Sequence, residues 1–288
     1  MRIPSPIEAL LLPIVLIALT GCSITKAMRV ENREVIGVTT MIGELRGAPL
    51  VFIGERHDAP SHHELQLEVL KAIKAEGKKL ALGVEMFEDS SQPALDAWIA
   101  GEVPEYSFQR MFALSWRNMP WGHYRDIFLY ARDNSIPIVA LNAPRQVVQS
   151  VARKGFASLT SAELLKLPTG IDAAVSDGYL EFMKSSYPMH GRSGAAFRNI
   201  SEAQMLRNRV MARHIGNYLR LNPDRVMVVI AGGGHTRGMG GVPAELESGG
   251  PSYKIVQPPL WPLNSATVTT RDADYLLVER FSWLWEIL

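Results

Sequence analysis

Four hydrophobic segments of the sequence each end directly before side chains that can carry chemistry. They are the segments 50–54, 80–84, 137–141 and 227–231. The polar residues that follow them include Glu55, His57, Glu85, Asn142 and His235. In an open parallel α/β sheet, ligands bind outside the carboxyl ends of the strands, where residues from distant parts of the chain converge. The sequence therefore predicts that these five side chains surround one crevice.

Segments with helical periodicity lie between and after these strands. They cover 62–76, 93–99, 124–133, 161–167 and 200–221. In the first of them, apolar Leu65, Val69 and Ile73 recur every four residues, and Gly77 is a typical stop signal. This alternation predicts an α/β protein, a three-layer α/β/α fold with a mainly parallel sheet. Two later strand segments, 253–257 and 275–279, are expected to close the sheet at one edge.

The region 172–199 has a different character. It begins as a helix around Tyr179 and Phe182, and then becomes rich in Ser, Pro and Gly between 185 and 194. An insertion of this kind beside a sheet is typical of a segment that covers a site. We therefore expect a helical lid here.

The overall charge of the chain is close to neutral. The chain has 288 residues, of which 47% are hydrophobic, so it can bury a substantial core. Thirty Lys and Arg against twenty-nine Asp and Glu leave a net charge of +1. Such a balance does not indicate a nucleic-acid partner.

The first 22 residues are predicted to be a lipoprotein signal peptide. An apolar stretch from 7 to 19 leads into Leu19-Thr20-Gly21-Cys22, which has the form of a bacterial lipobox. The stretch is short and carries proline, so a membrane-spanning helix is not expected. Cleavage before Cys22, the only cysteine, would leave a lipid-bearing N-terminus and no disulfide.

The predicted domain organisation and location follow from this signal. A polar lead is expected over 23–48 and the main domain over 49–288. Because Ser23 stands after the cysteine in place of an acidic residue, the anchor is expected in the bacterial outer membrane, facing the periplasm.

Two clusters concentrate polar chemistry. Glu55, His57 and Asp58 form a tight turn that, taken alone, suits a metal ion, whereas the adjacent His62-His63 pair has the wrong spacing for one helix face and is expected to begin an exposed helix. The glycine-rich segment 231–243 lets the backbone approach a flat ligand, to which His235 and Arg237 can add polar contacts.

An aromatic segment precedes the third strand. Trp116, Trp121 and Tyr124 are interrupted by Asn118, Pro120 and Gly122. Aromatic residues usually fill a core, but this composition fits a loop that lines an apolar pocket.

The order of these motifs carries a resemblance to a known family. The motifs are Gly54-Glu55-Arg56-His57-Asp58, Val84-Glu85-Met86-Phe87, Trp116 with Tyr124, Asn142-Ala143-Pro144-Arg145, Glu202-Ala203-Gln204 and the segment from Gly232 to Pro243. As an ordered set over residues 49–243, they resemble the ChaN-like haem-binding lipoproteins, which are related to erythromycin-esterase and TraB-like proteins. One position departs from the pattern, because Asn208 stands where the family tends to place an acid.

The resemblance implies a haem carrier of bacterial iron uptake. It implies a homodimer that encloses two cofacial haems, each iron held by a tyrosinate, and an outer-membrane haem receptor as a further partner. Carried over, it makes Tyr124 the first candidate ligand, with Tyr187 and Tyr179 as competitors and Met189 and His190 within reach. His57 or His235 would contact the propionates or the distal side. The cofactor contacts expected as a set are Glu55, His57, Glu85, Trp116, Asn142, Arg145, His235 and Arg237.

Two other functions stay open. The clustered acids and histidines also suit a metal-dependent hydrolase of the erythromycin-esterase type. A structural lipoprotein with satisfied turns is the third possibility. The sequence has no Cys-x-x-Cys-His motif, so any haem is expected to be held non-covalently.

Overall fold

The computed structural model describes residues 24–117, 119–186 and 194–279, and eight strands of this part of the chain form one sheet. The strands are β1 (Lys26–Arg29), β2 (Val35–Gly37), β3 (Leu50–Glu55), β4 (Lys79–Glu88), β5 (Ile138–Asn142), β6 (Arg225–Gly232), β7 (Tyr253–Gln257) and β8 (Tyr275–Val278). Their order across the sheet is β2-β1-β8-β7-β3-β6-β4-β5.

Ten α-helices accompany the sheet in the described residues. They are α1 (Val38–Leu45), α2 (Pro60–Ala75), α3 (Gln92–Ile99), α4 (Glu105–Ser115), α5 (Trp121–Asp133), α6 (Arg145–Lys154), α7 (Ser161–Leu164), α8 (Asp177–Ser186), α9 (Gly194–Leu221) and α10 (Gly233–Thr236). Short 3-10 turns lie at Asp89–Ser91, Phe156–Ser158 and Val242–Glu245.

The strands from β8 to β5 are parallel, and only β1 runs antiparallel to its neighbours. Strands β3 and β6 lie side by side in the middle, with Glu55 opposite Gly232 at their carboxyl ends. Strand β4 pairs with the other side of β6 as far as Val84, so Glu85 is the first residue beyond that ladder. This topology brings the ends of β3, β4, β5 and β6 to one edge of the sheet.

Alternating side chains of the strands pack into two hydrophobic cores, one on each face of the sheet. Val51 and Ile53 of β3 pack on one face with helices α1 to α5, whereas Leu50 and Phe52 pack on the other face with α9. A third cluster joins α6 to α9 through Val147, Val151, Leu206 and Val210. The period of two along a buried strand produces this division. The predicted three-layer α/β/α fold is confirmed.

The predicted elements agree with most of the observed ones. Periodicity located α2, α3, α5 and α9 to within a few residues, except that α9 begins at Gly194. Ser201 lies inside that helix and donates its hydroxyl to the carbonyl of Phe197. Thr160 caps α7 by accepting a hydrogen bond from the Glu163 N–H. Helices α4 and α6 were not predicted.

Residues assigned to the polar lead take part in the sheet. Strand β1 pairs with both β2 and β8, and Met41 and Leu45 of α1 are buried in the main core. Consequently β8 is an inner strand and not an edge strand. Strands β1 and β2 were hard to predict because they are only four and three residues long.

The expected lid region begins with α8, which packs against α9 through Tyr179, Met183, Phe197 and Met205. Phe182 lies against Gly240 and under the Arg237 guanidinium, 4.8 Å from its ring centroid. The helix therefore borders the glycine-rich turn that follows β6. Among the described residues, no helix combines the length and apolar character needed to cross a bilayer.

Candidate functional site

A crevice of about 1020 Å³ opens at the carboxyl ends of β3, β4, β5 and β6. It is lined by the five residues that were predicted to surround one crevice, together with Trp116 and Arg145. Arg237 borders a smaller neighbouring cavity of about 130 Å³, where its Nε donates to Asp272 at 2.7 Å. Cys22 and Tyr187, as well as Met189 and His190, lie outside the described residues. The predicted roles of all these residues, as cofactor contacts, iron ligands or the lipidation site, stay predictions.

The first polar cluster is centred on Glu55, whose side chain is almost fully buried at the end of β3. Its carboxylate bonds to His57 Nδ1 at 2.7 Å and accepts from Gln66 Nε2 at 2.7 Å. The Tyr124 hydroxyl also donates to it, and His63 Nε2 lies 3.4 Å away. A buried carboxylate with this many donors is strongly held.

These contacts determine the charge states of Glu55 and His57. Burial alone would raise the pKa of the Glu55 carboxyl, but the hydrogen bonds from His57 and His63 outweigh it and hold the pKa well below its usual range. Burial alone would lower the pKa of His57, and the hydrogen bond to Glu55 and the charge of Glu85 raise it instead. Glu55 is therefore a carboxylate that orients the His57 ring.

The second cluster is centred on Glu85, at the end of the β4–β6 ladder. Its carboxylate is paired with the Arg207 guanidinium and accepts the N–H of Gly232 at 2.7 Å. Arg207 Nε also donates to Asn142 Oδ1 at 3.1 Å, and Asn142 Nδ2 donates to the carbonyl of Glu85 at 2.8 Å. Burial raises the pKa of Glu85, but His235, Arg207 and His57 outweigh burial and lower it to about 2.

His235 is held in its neutral form beside this pair. Its Nδ1 bonds to Asn208 Oδ1 at 2.6 Å, and its Nε2 lies 3.7 Å from Glu85 Oε1. Burial, followed by repulsion from Arg207, lowers the pKa of His235 to about 3. The departure at Asn208 thus has a physical meaning: the ring meets a neutral amide, whereas an acid would stabilise its cationic form.

Tyr124 lies in the core and not on the crevice wall. Its side chain is 1% exposed, and its ring packs against His63 and Phe112. Burial and the adjacent Glu55 carboxylate raise the pKa of the hydroxyl far above its usual value. A tyrosinate ligand is the deprotonated form, so this environment does not favour Tyr124 in that role.

The aromatic segment divides between the core and the crevice. Trp121 and Tyr124 belong to α5 and pack in the main core with Phe108 and Phe112 of α4, so the expected pocket-lining loop is wrong for them. The partners from α4 could not be read from the segment itself. Trp116 does line the crevice, with its ring edge-on to His57 at a centroid distance of 5.1 Å.

The prediction of an exposed helix start at His62-His63 is also wrong. The two side chains are 0% and 3% exposed, respectively. His62 Nδ1 accepts the backbone N–H of Arg56 at 2.9 Å, so its proton lies on Nε2, which donates to Glu279 at 2.7 Å. Arg56 Nη1 donates to the same Glu279 carboxylate at 2.9 Å. Residues of α2 and the end of β8 therefore anchor the turn that carries His57.

Sequence reasoning missed several polar partners, namely His63, Gln66, Arg207, Asn208 and Glu279. One signal was present, because Arg207 lies three residues after Gln204 and so shares its helix face. Among the described residues, no three His, Cys, Asp or Glu side chains are placed to hold one metal ion.

The comparisons with known proteins agree with this architecture. Residues 41–246 match the family model described as haem-binding uptake, Tiki superfamily, ChaN. The chain belongs to this family. The family resemblance is thus confirmed. The prediction of non-covalently bound haem as the cofactor is confirmed with it, because the family is described as haem-binding.

Two solved structures share the fold, and a third is more distantly similar. ChaN of Campylobacter jejuni, described with cofacial haem binding, is 17% identical, with 88% of this chain and 96% of that chain covered and a TM-score of 0.70. The type III effector HopBA1 is 13% identical, with 83% and 91% covered and a TM-score of 0.50. The erythromycin esterase EreC in its open conformation is 12% identical, with 88% and 82% covered and a TM-score of 0.46.

A curated relative extends the likeness to plants. The Arabidopsis thaliana protein RETICULATA-RELATED 5, chloroplastic, is 22% identical over 176 residues, which cover 55% of this chain. The match spans 23% of the length of that relative.

Proposed function

We propose that this protein binds haem non-covalently in the crevice at the strand ends. The observation that supports this proposal is that apolar side chains and arginines line the same crevice, in a chain of the ChaN family. Apolar side chains on several elements face it, including Met86, Leu114, Trp116, Met119 and Val148. A porphyrin is a flat apolar ring with two carboxylates, so it needs apolar walls and cations at the rim.

Two arginines of the crevice are placed to bind the carboxylates of haem. Arg145 and Arg117 line the crevice at exposed positions, and within the described part of the chain neither guanidinium has a carboxylate partner. Guanidinium groups suit carboxylates because they donate two parallel hydrogen bonds. Gly232, Gly233 and Gly234 also line the crevice and add no side-chain bulk there. The residues present therefore fit haem, which supplies a redox-active iron when bound.

The decisive experiment is an absorbance titration of the purified protein in detergent with ferric haem. A saturable Soret band at one haem per chain is expected. Arg145→Ala should weaken binding about tenfold, because one charge-assisted hydrogen bond is worth about 1.5 kcal/mol. Arg153→Ala is the matched control, since Arg153 is exposed on the same helix and does not line the crevice. No saturable band would contradict the proposal.

We also propose that a tyrosinate is the ligand of the haem iron, with Tyr124 as the first candidate. Tyr124→Phe keeps the ring and removes only the hydroxyl, so loss of a ferric-tyrosinate absorption band in this variant would support Tyr124. Against this ligand stand its burial and its hydrogen bond to Glu55. If the wild-type protein shows the band and Tyr124→Phe keeps it, another tyrosine supplies the ligand.

We further propose that haem binding pairs two copies of the chain. An open crevice covers one face of a flat ring, and a second copy would bury the other. Leu114, 70% exposed, lines the crevice, and Trp261, 64% exposed, lines the neighbouring cavity. These side chains give a partner apolar surface to cover.

Sedimentation velocity tests the pairing. The wild-type protein should shift from monomer to dimer as haem is added, whereas Trp261→Glu should bind haem and stay monomeric. A sedimentation coefficient that does not change on saturation with haem would contradict a haem-driven dimer.

The place of action is proposed to be the outer membrane, in haem acquisition. The lipobox ending at Cys22 supports an anchor, and the family is described as one of haem uptake. Cys22→Ala should abolish lipid attachment, which labelling of cells with radioactive palmitate measures. Ser23→Ala is the matched control and should be labelled normally. Processing that resists globomycin in the wild-type protein would exclude the lipoprotein route.

A further inference from the structure

The first described residues of the chain lie at the same edge of the sheet as the crevice. Strand β1 runs antiparallel to β8, and Lys26 pairs with Val278 at the carboxyl end of β8. The register through β7 to β3 places Val278 level with Arg56, the first residue after β3. The hydrogen bond from Arg56 Nη1 to Glu279, at 2.9 Å, agrees with this register. The chain therefore enters the sheet at the level of the crevice mouth.

The position of Ile24 limits where the proposed lipid anchor can lie. Only Ser23 separates Cys22 from Ile24, which is 8% exposed and packs in the main core. Two residues of extended chain span at most about 7 Å. Three strand spacings, about 14 Å, separate β1 from β3, whereas the amino ends of the strands lie about 20 Å away along β3. A lipid on Cys22 therefore lies close to the crevice edge and not at the opposite edge.

Exposed apolar side chains are present at the crevice edge. Leu114 lines the crevice, Trp261 lines the neighbouring cavity, and Val278, 37% exposed, ends β8. The sequence that follows Glu279 includes Phe281, Trp283 and Trp285. Tryptophan is enriched where a protein meets the surface of a bilayer. Lipid is thus a partner that suits the side chains of this edge.

Exposed cations lie at the same edge. They are Lys26 at the start of β1 and the two crevice arginines, Arg117 and Arg145. Cations of this kind are attracted to anionic lipid headgroups. Exposure alone does not select an edge, because Leu221, 78% exposed, precedes β6 at the opposite edge. The short connection between Cys22 and Ile24 is the observation that selects the crevice edge.

We infer that the sheet edge that opens the haem crevice faces the surface of the bilayer. The inference rests on the proposed lipid anchor and deepens the proposed haem binding. Haem is a largely apolar ring, so it can pass between the lipid surface and the crevice without crossing bulk water. In the haem-free chain, lipid covers the apolar side chains that a second copy covers in the proposed haem-bound pair.

Fluorescence quenching in vesicles tests this orientation. Cys22 is the only cysteine, so a cysteine introduced into the lipidated chain is its single free thiol. Trp261→Cys and Leu114→Cys place an NBD fluorophore at the crevice edge, and Leu221→Cys is the matched control at the opposite edge. The haem-free proteins are reconstituted, at a dilution that keeps copies apart, into phosphatidylethanolamine–phosphatidylglycerol vesicles that contain a nitroxide-labelled lipid.

Quenching should be several-fold stronger at positions 114 and 261 than at position 221, because the nitroxide must approach closely and the two edges are about 20 Å apart. Equal or stronger quenching at position 221 would overturn the orientation. Quenching absent at all three positions would also overturn it, and would leave a second copy as the partner of these side chains.

The outcomes separate this inference from the proposed function. If Cys22 carries no lipid, the anchor and the orientation both fail, whereas the titration with ferric haem still decides haem binding. If the chain is lipidated and binds haem but position 221 is quenched as strongly as the others, only the orientation fails.

Discussion

Replacing Glu85 by alanine is expected to lower the free energy of unfolding by about 3–5 kcal/mol. The carboxylate is 2% exposed and faces the Arg207 guanidinium, which is itself only 17% exposed. Removing one partner leaves a buried charge without compensation, and the N–H of Gly232 also loses its acceptor. Urea denaturation followed by circular dichroism measures the change.

A double-mutant cycle identifies the cause of this loss. Glu85→Ala combined with Arg207→Ala should recover part of the stability, because no unpaired charge then stays in the crevice. Asp224→Ala is the matched control, since its pair with Lys79 is 57% and 66% exposed and exposed pairs stabilise little. A loss below about 1 kcal/mol in Glu85→Ala would show that the pair is not a structural element.

The strand ends could be located from the sequence because a buried parallel strand has a simple signature. Each hydrophobic run stops within a few residues of the carboxyl end of its strand, so the positions of Glu55, Glu85 and His235 could be predicted without knowledge of the strand order. Helix α2 was located for a similar reason, since Leu65, Val69 and Ile73 repeat at the helical period. Both signals are local.

The hydrogen-bond and ion-pair partners of those residues could not be predicted, because they are distant in the sequence. Arg207 and Asn208 lie on a helix whose polar residues look like an exposed face, and only the packing of α9 on the sheet turns them inward. The His62-His63 pair was assigned to the surface because nothing nearby in the sequence indicates Glu279, 217 residues away. Local periodicity gives no information on such contacts.

The lack of long-range information also explains why the sequence did not predict that Tyr124 lies in the core. Family resemblance placed it at the site, and it does contact Glu55, but from below the crevice wall. Orientation around a helix axis is set by the partners of the helix. Here Phe108 and Phe112 of α4 pack against the α5 side chains Trp121, Tyr124 and Phe128. A motif therefore located the residue, whereas packing decided which way its hydroxyl points.

Gly232→Val is expected to weaken haem binding by about tenfold to a hundredfold. The new Cβ would lie 3.0 Å from the His57 ring and 3.6 Å from Glu85 Oε2. The ring cannot move freely, because Glu55 holds one edge and Trp116 packs against it. Overpacking of this kind costs about 1–3 kcal/mol, which corresponds to that loss of affinity if it falls on the bound state.

The titration with ferric haem measures the effect, and Gly37→Val is the matched control. Gly37 also ends a strand in extended backbone, but a Cβ there meets nothing within 4 Å. Thermal unfolding of both variants separates a lost site from a lost fold. Unchanged affinity in a folded Gly232→Val protein would mean that haem does not use this part of the crevice. A loss confined to Gly232→Val would indicate that the close approach of β6 to His57 shapes the haem site.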